Sequence, residues 1–322
     1  MHPHRGPAVL LALAGGLMAA TQARINAQFG VTAGNPSAAA ALSATTGLLL
    51  LTPVVLLAAP VRRALAALPA RVRSGVMPRW VLLPGALGAL LLFSQAYAVP
   101  ALGVALFSVL IVASLTTAGL VVDRVGLGPA GPQAVTTNRV GGAALAIVAA
   151  AVAAGPGLSA GSLAILAALV TVAAGTGGSV QSAMLGRLGA GLGHPLAAVW
   201  VNFLGAALTL TALVSVAIAR GAPLHVPALG WQWLGGPLGV LIVVTIVLAV
   251  PRAGVLLVGM AITAGQLLGS LLLDWVAPVE GRAITAWSVA GALLLLGAVI
   301  LASRPVRPAA RHAGHPVGPP AP

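Results

Sequence analysis

The chain has 322 residues, 59% of them hydrophobic and 6% charged, with a mean hydropathy of +1.08. So few charges cannot cover a water-soluble domain of this length, so the composition excludes a soluble globular fold and points to an integral membrane protein. Cysteine is absent, which excludes a disulfide framework, thiolate catalysis and cysteine metal sites. The net charge of +13 is carried by arginine in short segments between apolar runs, a topology signature, and no nucleic-acid partner is expected.

Apolar length and helix breakers predict ten spans, at 8–28, 37–59, 80–99, 101–122, 138–154, 161–185, 195–219, 232–250, 253–274 and 285–302. Crossing a bilayer takes about 20 residues, so the 42-residue run around Pro100 is too long for one span and fits a tight helical hairpin. Residues 60–79, from Pro60-Val-Arg-Arg to Met77-Pro-Arg, form a basic loop that can place a short helix on anionic headgroups. Residues 303–322, rich in Pro, Arg and His, are expected to be a disordered cytoplasmic tail. Met1 to Ala23 has the make-up of a secretory signal, but its look-alike at 167–187 lies in mid-chain, so 8–28 is read as a retained helix.

Arginine sets the expected orientation. With the N-terminus in the cytoplasm, the inside segments hold Arg5, Arg62, Arg63, Arg71, Arg73, Arg79, Arg124, Arg139, Arg187, Arg252, Arg304, Arg307 and Arg311, and the outside holds Arg24, Arg220 and Arg282. Thirteen against three places both termini inside.

The sequence also repeats itself. Segments 8–28 and 167–187 align Gln22 with Gln181, and Asn35-Pro36 is answered by His194-Pro195. Downstream, Trp80…Pro84 is answered by Trp233…Pro237, Pro100-Ala-Leu-Gly103 by Pro251-Arg-Ala-Gly254, and Asp123 by Asp274. The expected fold is thus all-α, with one five-helix repeat in residues 1–154 and a second in 155–302. Because five is odd, the second copy enters the membrane upside down, and function is expected at the interface of the halves.

Three blocks carry a family resemblance: Ser179-Val-Gln-Ser-Ala-Met-Leu-Gly-Arg-Leu188, Val201-Asn-Phe-Leu-Gly205 and Ala264-Gly-Gln-Leu-Leu-Gly-Ser-Leu-Leu-Leu-Asp274. Echoes stand in the first half at Gln22-Ala-Arg-Ile-Asn26, at 43–47 and at Gly119-Leu-Val-Val-Asp123. Together they resemble the YdcZ-type group of the drug/metabolite transporter superfamily over nearly all of 8–302. The resemblance implies an inner-membrane exporter of the fused ten-helix form. Its solute path would lie between spans one to four and six to nine, with spans five and ten peripheral. Where the second half has Gln266, the first has Leu115.

Gln22 and Asn26 are four residues apart and share a helix face with Gly15 and Ala19. Gln22, Asn26, Gln181, Asn202 and Gln266 are the candidate substrate-binding residues; their other reading is interhelical hydrogen bonding, with Gly265-x-x-x-Gly269 as a packing face. Ser43 takes the place of Asn202 in the first half. Tyr97, Trp80, Trp231, Trp233 and Trp287 are read as interfacial anchors. None of the three acids, Asp123, Asp274 and Glu280, sits mid-membrane. No mid-membrane carboxylate is left to carry a proton, and amide polarity suits a neutral or zwitterionic solute. Arg24 with Asp274 outside, and Arg187 with Asp123 inside, are candidate gate pairs; the alternative is four separately solvated helix-end charges.

No metalloprotease, serine-nucleophile or phosphate-loop motif occurs, and the histidines fall in tails and loops, so no catalytic residue, cofactor or metal is expected. The function read from the sequence is secondary transport of a small metabolite or drug-like solute by alternating access, with a small-molecule solute and the bilayer as partners and a homodimer compatible. The other class of reading is a non-transporting membrane scaffold or complex subunit.

Overall fold

The computed structural model describes residues 5–33, 35–154, 164–223, 225, 230–276 and 285–304. The described residues form ten α-helices and two 3₁₀ turns, with no strand among them. The helices are α1 (Arg5–Ala33), α2 (Pro36–Leu57), α3 (Ala59–Arg73), α4 (Pro84–Val125), α5 (Thr137–Ala154), α6 (Ala164–Leu192), α7 (Pro195–Ala219), α8 (Gly235–Ala253), α9 (Val255–Val276) and α10 (Ala286–Ser303). The 3₁₀ turns, Arg79–Leu82 and Trp231–Leu234, lead into α4 and α8. Six segments are long and apolar enough to cross a bilayer, in α1, α2, α6, α7, α8 and α9. Shorter apolar helices lie in α4, α5 and α10.

The expected spans 80–99 and 101–122 appear as one helical element of 42 residues. It nevertheless doubles back. Ser179 Oγ donates to the Leu115 carbonyl at 2.7 Å, and a Cβ at Gly177 would lie 3.5 Å from Leu87. A straight helix would separate residues 87 and 115 by about 42 Å, yet both meet α6 within three residues. The two arms of α4 therefore run side by side along α6, and the return falls on the stretch that holds Pro100. A proline removes one backbone donor and bends the chain, but its φ still suits a helix. The corresponding break between α8 and α9 is complete: Gly254 sits at φ +83°, where a glycine is favoured.

Local chemistry sets the other ends. Asn35 caps α2, its Oδ1 accepting from Ser37 N at 3.1 Å and Ala38 N at 3.3 Å, and Pro36 follows at the first helical position. His194 stands at the equivalent place before α7 but makes no side-chain cap. Gly126, at φ +73°, closes α4 in the left-handed conformation typical of helix C-termini. The amphipathic α3 buries Val61 and packs Leu65, Leu68 and Val72 beside α7, leaving Arg62, Arg63 and Arg73 exposed. α5 pairs with α10, where Gly142 fits against Ala298 and Ala302. Exposed apolar residues such as Leu10, Leu57, Ile165 and Leu208 cover the outside of the bundle, as lipid contact requires.

Candidate transport site

Three glycine contacts between the halves recur with the roles of the halves exchanged. A Cβ at Gly16 in α1 would lie 2.1 Å from the Ile262 carbonyl oxygen of α9, and one at Gly175 in α6 would lie 3.0 Å from the Ile111 carbonyl of α4. A Cβ at Gly236 in α8 would meet the Ser43 carbonyl and the Gly47 amide of α2. One at Gly85 in α4 would meet the Asn202 carbonyl and the Ala206 amide of α7. Finally, a Cβ at Gly239 would lie 2.5 Å from the Gln22 amide nitrogen, and one at Gly88 would lie 2.4 Å from that of Gln181. The first two helices of each half are related by a shift of 159 residues and the next two by 151 (175 less 16, 236 less 85). Only glycine permits such close approach of helix backbones.

These contacts correct one register. Gly85 and Gly236 fix the shift of 151, so Trp80 corresponds to Trp231, not Trp233, and Pro84 to Gly235, not Pro237. The sequence pairing followed the matching Trp and Pro letters, whereas packing follows Gly85-x-x-Gly88 and Gly236-x-x-Gly239. That doubled Gly-x-x-Gly at the head of an apolar run is the signal that sequence reading missed.

The amides sit on this glycine framework. Gln22 Nε2 donates to the Gly235 carbonyl at 2.8 Å. Asn26, one turn along α1, has its Oδ1 buried without a hydrogen-bond partner, beside Gly235 and near Ser43, which is itself 5% exposed. In the other half Gln181 Nε2 donates to Asn202 Oδ1 at 3.1 Å, and Asn202 is 5% exposed. Phe203, next to Asn202, abuts Gly47 of the first half and Gly239 of its own half. The two amide groups thus share one layer through Phe203. Gln266 is not in the described contacts of this layer. It lies on the α1–α9 seam, where Gly265 meets Leu13 and Gly269 meets Leu17 and Ala20, so Gly265-x-x-x-Gly269 is a packing face.

Two open grooves lie beyond the layer, one toward either end of the helices. A groove of about 620 Å³ is bounded by Ser37, Phe93, Leu213 and Arg220, eleven residues or about 16 Å along α7 from Asn202. At the other end a cavity of about 380 Å³ is bounded by Met77, Pro129, Arg187 and Gly191, and Arg187 lies six residues or about 9 Å along α6 from Gln181.

The four candidate gate residues are differently placed. Arg24 Nη1 donates to the Leu273 carbonyl at 3.0 Å, which brings it to the chain position before Asp274; the Asp274 side chain lies outside the described residues. α1 runs on to Ala33, so Arg24 is deeper in its helix than expected. The structure does not bring Arg187 to Asp123. Arg187 Nη2 donates to the Gly126 carbonyl at 3.0 Å, and its guanidinium lies 5.5 Å from the centre of the Trp80 ring. Trp80, expected as an interfacial anchor, is thus also a cation–π platform. Asp123 is 4% exposed; it pairs with Arg139 of α5 and accepts from Val255 N at 2.8 Å and Leu256 N at 3.1 Å. Its charge satisfies the free amides that open α9, a placement the helix dipole favours. Tyr97 and Gln95 have side chains outside the described ones, and no cluster of metal-binding side chains occurs among the described residues.

Long apolar helices packed through glycine, with lipid-facing apolar surfaces, define a multi-pass membrane protein. Its chain belongs to the family described as "Putative inner membrane exporter, YdcZ", which matches residues 7–152 and 166–301, one segment in each half. That description points to a transporter. No curated protein matches the chain. A solved crystal structure, described only as that of a protein, is similar in fold: TM-score 0.68 at 19% sequence identity, over 93% of this chain and 97% of its own.

Proposed function

We propose that this protein is a secondary transporter that carries a small metabolite or drug-like solute by alternating access between two inverted five-helix repeats, residues 1–154 and 155–302. The observation that carries the reading is the paired set of contacts. Gln22 on Gly239 and Gln181 on Gly88 obey the same two shifts as the backbone contacts around them, so equivalent helices meet equivalent partners. A pseudo-two-fold arrangement of that kind gives two packings of similar energy, the requirement for alternating access. The solute site lies at the layer of Gln22, Asn26, Gln181 and Asn202, with Gln266 joining it when α9 moves against α1. Amide and hydroxyl groups without a mid-membrane charge favour a neutral or zwitterionic solute.

In this reading both termini and α3 face the cytoplasm. Arg24 with Asp274 closes the outside. The inner pair, Arg187 with Asp123, belongs to another access state, since here Asp123 is held by Arg139 and α9. A screen of solutes for thermal stabilisation of the purified protein, followed by uptake into proteoliposomes, tests the function. A solute that stabilises and is taken up supports it. Absence of any transported solute, with the protein folded and inserted, favours a scaffold instead. Orientation is tested by single cysteines at Ser74 and Gly281 in this cysteine-free chain, which should label from opposite sides with an impermeant thiol reagent.

A further inference from the structure

We propose that the cavity bounded by Arg187 is a binding site for an anionic group, a carboxylate or phosphate, at the end of the bundle that holds α3. Four observations meet there. The cavity is about 380 Å³, large enough for a phosphate or a small carboxylate. Arg187 is half-buried in its wall, and among the described contacts only one of its five N–H donors is used, on Gly126. Its plane is fixed by Trp80 on one side and the Gly126 carbonyl on another, so the remaining donors are pre-oriented and little entropy is lost on engaging an anion. Among the described residues no carboxylate balances it: the bounding residues include no acid, and Asp123 is committed to Arg139 and two backbone amides.

The surroundings add to the same field. Arg71 reaches across from α3 to the carbonyl of Gly191, which itself borders the cavity. Arg79 follows Pro78, another bordering residue. A half-buried guanidinium without a counter-charge gains from an anion what it lacks from the protein. Two sources can supply that group: a soluble carboxylate- or phosphate-bearing solute, or the phosphate of a lipid headgroup reaching in beside α3.

Binding is read without transport, so failure here leaves the carrier reading standing. The full chain is held in dodecyl maltoside micelles, which carry no phosphate, and its melting temperature is followed against sodium succinate and sodium phosphate at fixed ionic strength. A second arm adds phosphatidylglycerol to the micelles. The expected result is a saturable rise in melting temperature that Arg187→Gln abolishes and Arg220→Gln, at the opposite end, leaves intact. A rise with succinate or phosphate identifies a soluble ligand; a rise with phosphatidylglycerol alone identifies a headgroup. Arg187→Lys keeps the charge but loses the fork and the stack, and should weaken apparent affinity about tenfold, the value of one charge-assisted hydrogen bond. If Arg187→Gln does not fold, the lysine variant decides, and unchanged affinity overturns the site. Stabilisation that survives Arg187→Gln, or none in the unaltered protein with any of the three probes, also overturns it.

Discussion

The two halves use one backbone plan and two polar chemistries. In the first, Gln22 and Asn26 lie a turn apart on α1, and Gln22 spends its donor on a main-chain carbonyl. In the second, α6 carries Gln181 alone; Leu185, fully buried, stands where α1 has Asn26, and the second amide has moved to Asn202 on α7. Ser43 replaces that amide on α2, and Leu115 stands opposite Gln266. Backbone contacts between helices must match if the halves are to exchange packings, which holds the glycines in register. Side chains at the proposed solute site need not match, because a solute without two-fold symmetry presents different groups to each half.

The comparison breaks most severely at its glycines. Gly85→Val and Gly236→Val each place a Cβ against the backbone of α7 or α2, at 2.2 Å from the Asn202 carbonyl oxygen and 2.5 Å from the Gly47 amide nitrogen. Both should abolish the monodisperse peak in size-exclusion chromatography, since overpacking costs about 1–3 kcal/mol even where neighbours can shift, and backbone cannot. Gly297→Val, which meets nothing within 4 Å, should behave like the unaltered protein. If the two glycines tolerate valine, the halves are not held by this contact.

A smaller loss is expected at Asp123. Asp123→Ala leaves Arg139, 13% exposed, without its partner and frees two amides of α9. The cost should be about 3 kcal/mol, read as a fall in melting temperature, and Arg139→Gln should lose less because Asp123 keeps its backbone donors. Equal and negligible losses would show that the clasp is only an exposed helix-end pair.

The charge swap sharpens the contrast between ends. Arg187→Asp with Asp123→Arg should recover transport lost in either single variant if the inner pair forms in another state. A swap of Arg24 and Asp274 should do the same outside. Rescue outside and not inside would leave Asp123 as a fixed clasp. The smallest effect belongs to Gln181 and Asn202, whose coupling in a double-mutant cycle of stability should be near 0.6 kcal/mol, the average for such bonds in membranes. A coupling several times larger would make the pair chiefly structural.

Much of this was legible in the sequence. The six apolar spans in α1, α2, α6, α7, α8 and α9, the doubled glutamines and the basic segment that holds α3 all follow from period, length and breaker residues. The partners were not. Asp123 stands beside Arg124 in the chain and was set against Arg187 by symmetry, but it is Arg139, sixteen residues on, that the turn after Gly126 brings to it. Trp80 reads as an interfacial anchor because a helix start hides what lies above the ring; only the fold puts Arg187 there. Gly85-x-x-Gly88 passed unnoticed because the neighbouring Trp and Pro letters suggested a pairing two residues off.

The central claim is that one solute site is shared between the halves at the glutamine layer. Its most direct test is transport by Gln22→Ala and Gln181→Ala in proteoliposomes, at equal insertion and with melting temperatures measured beside it. Both should transport several-fold less of the same solute while melting nearly as the unaltered protein does. Unimpaired transport in both variants would contradict the account and leave the glutamines as packing residues.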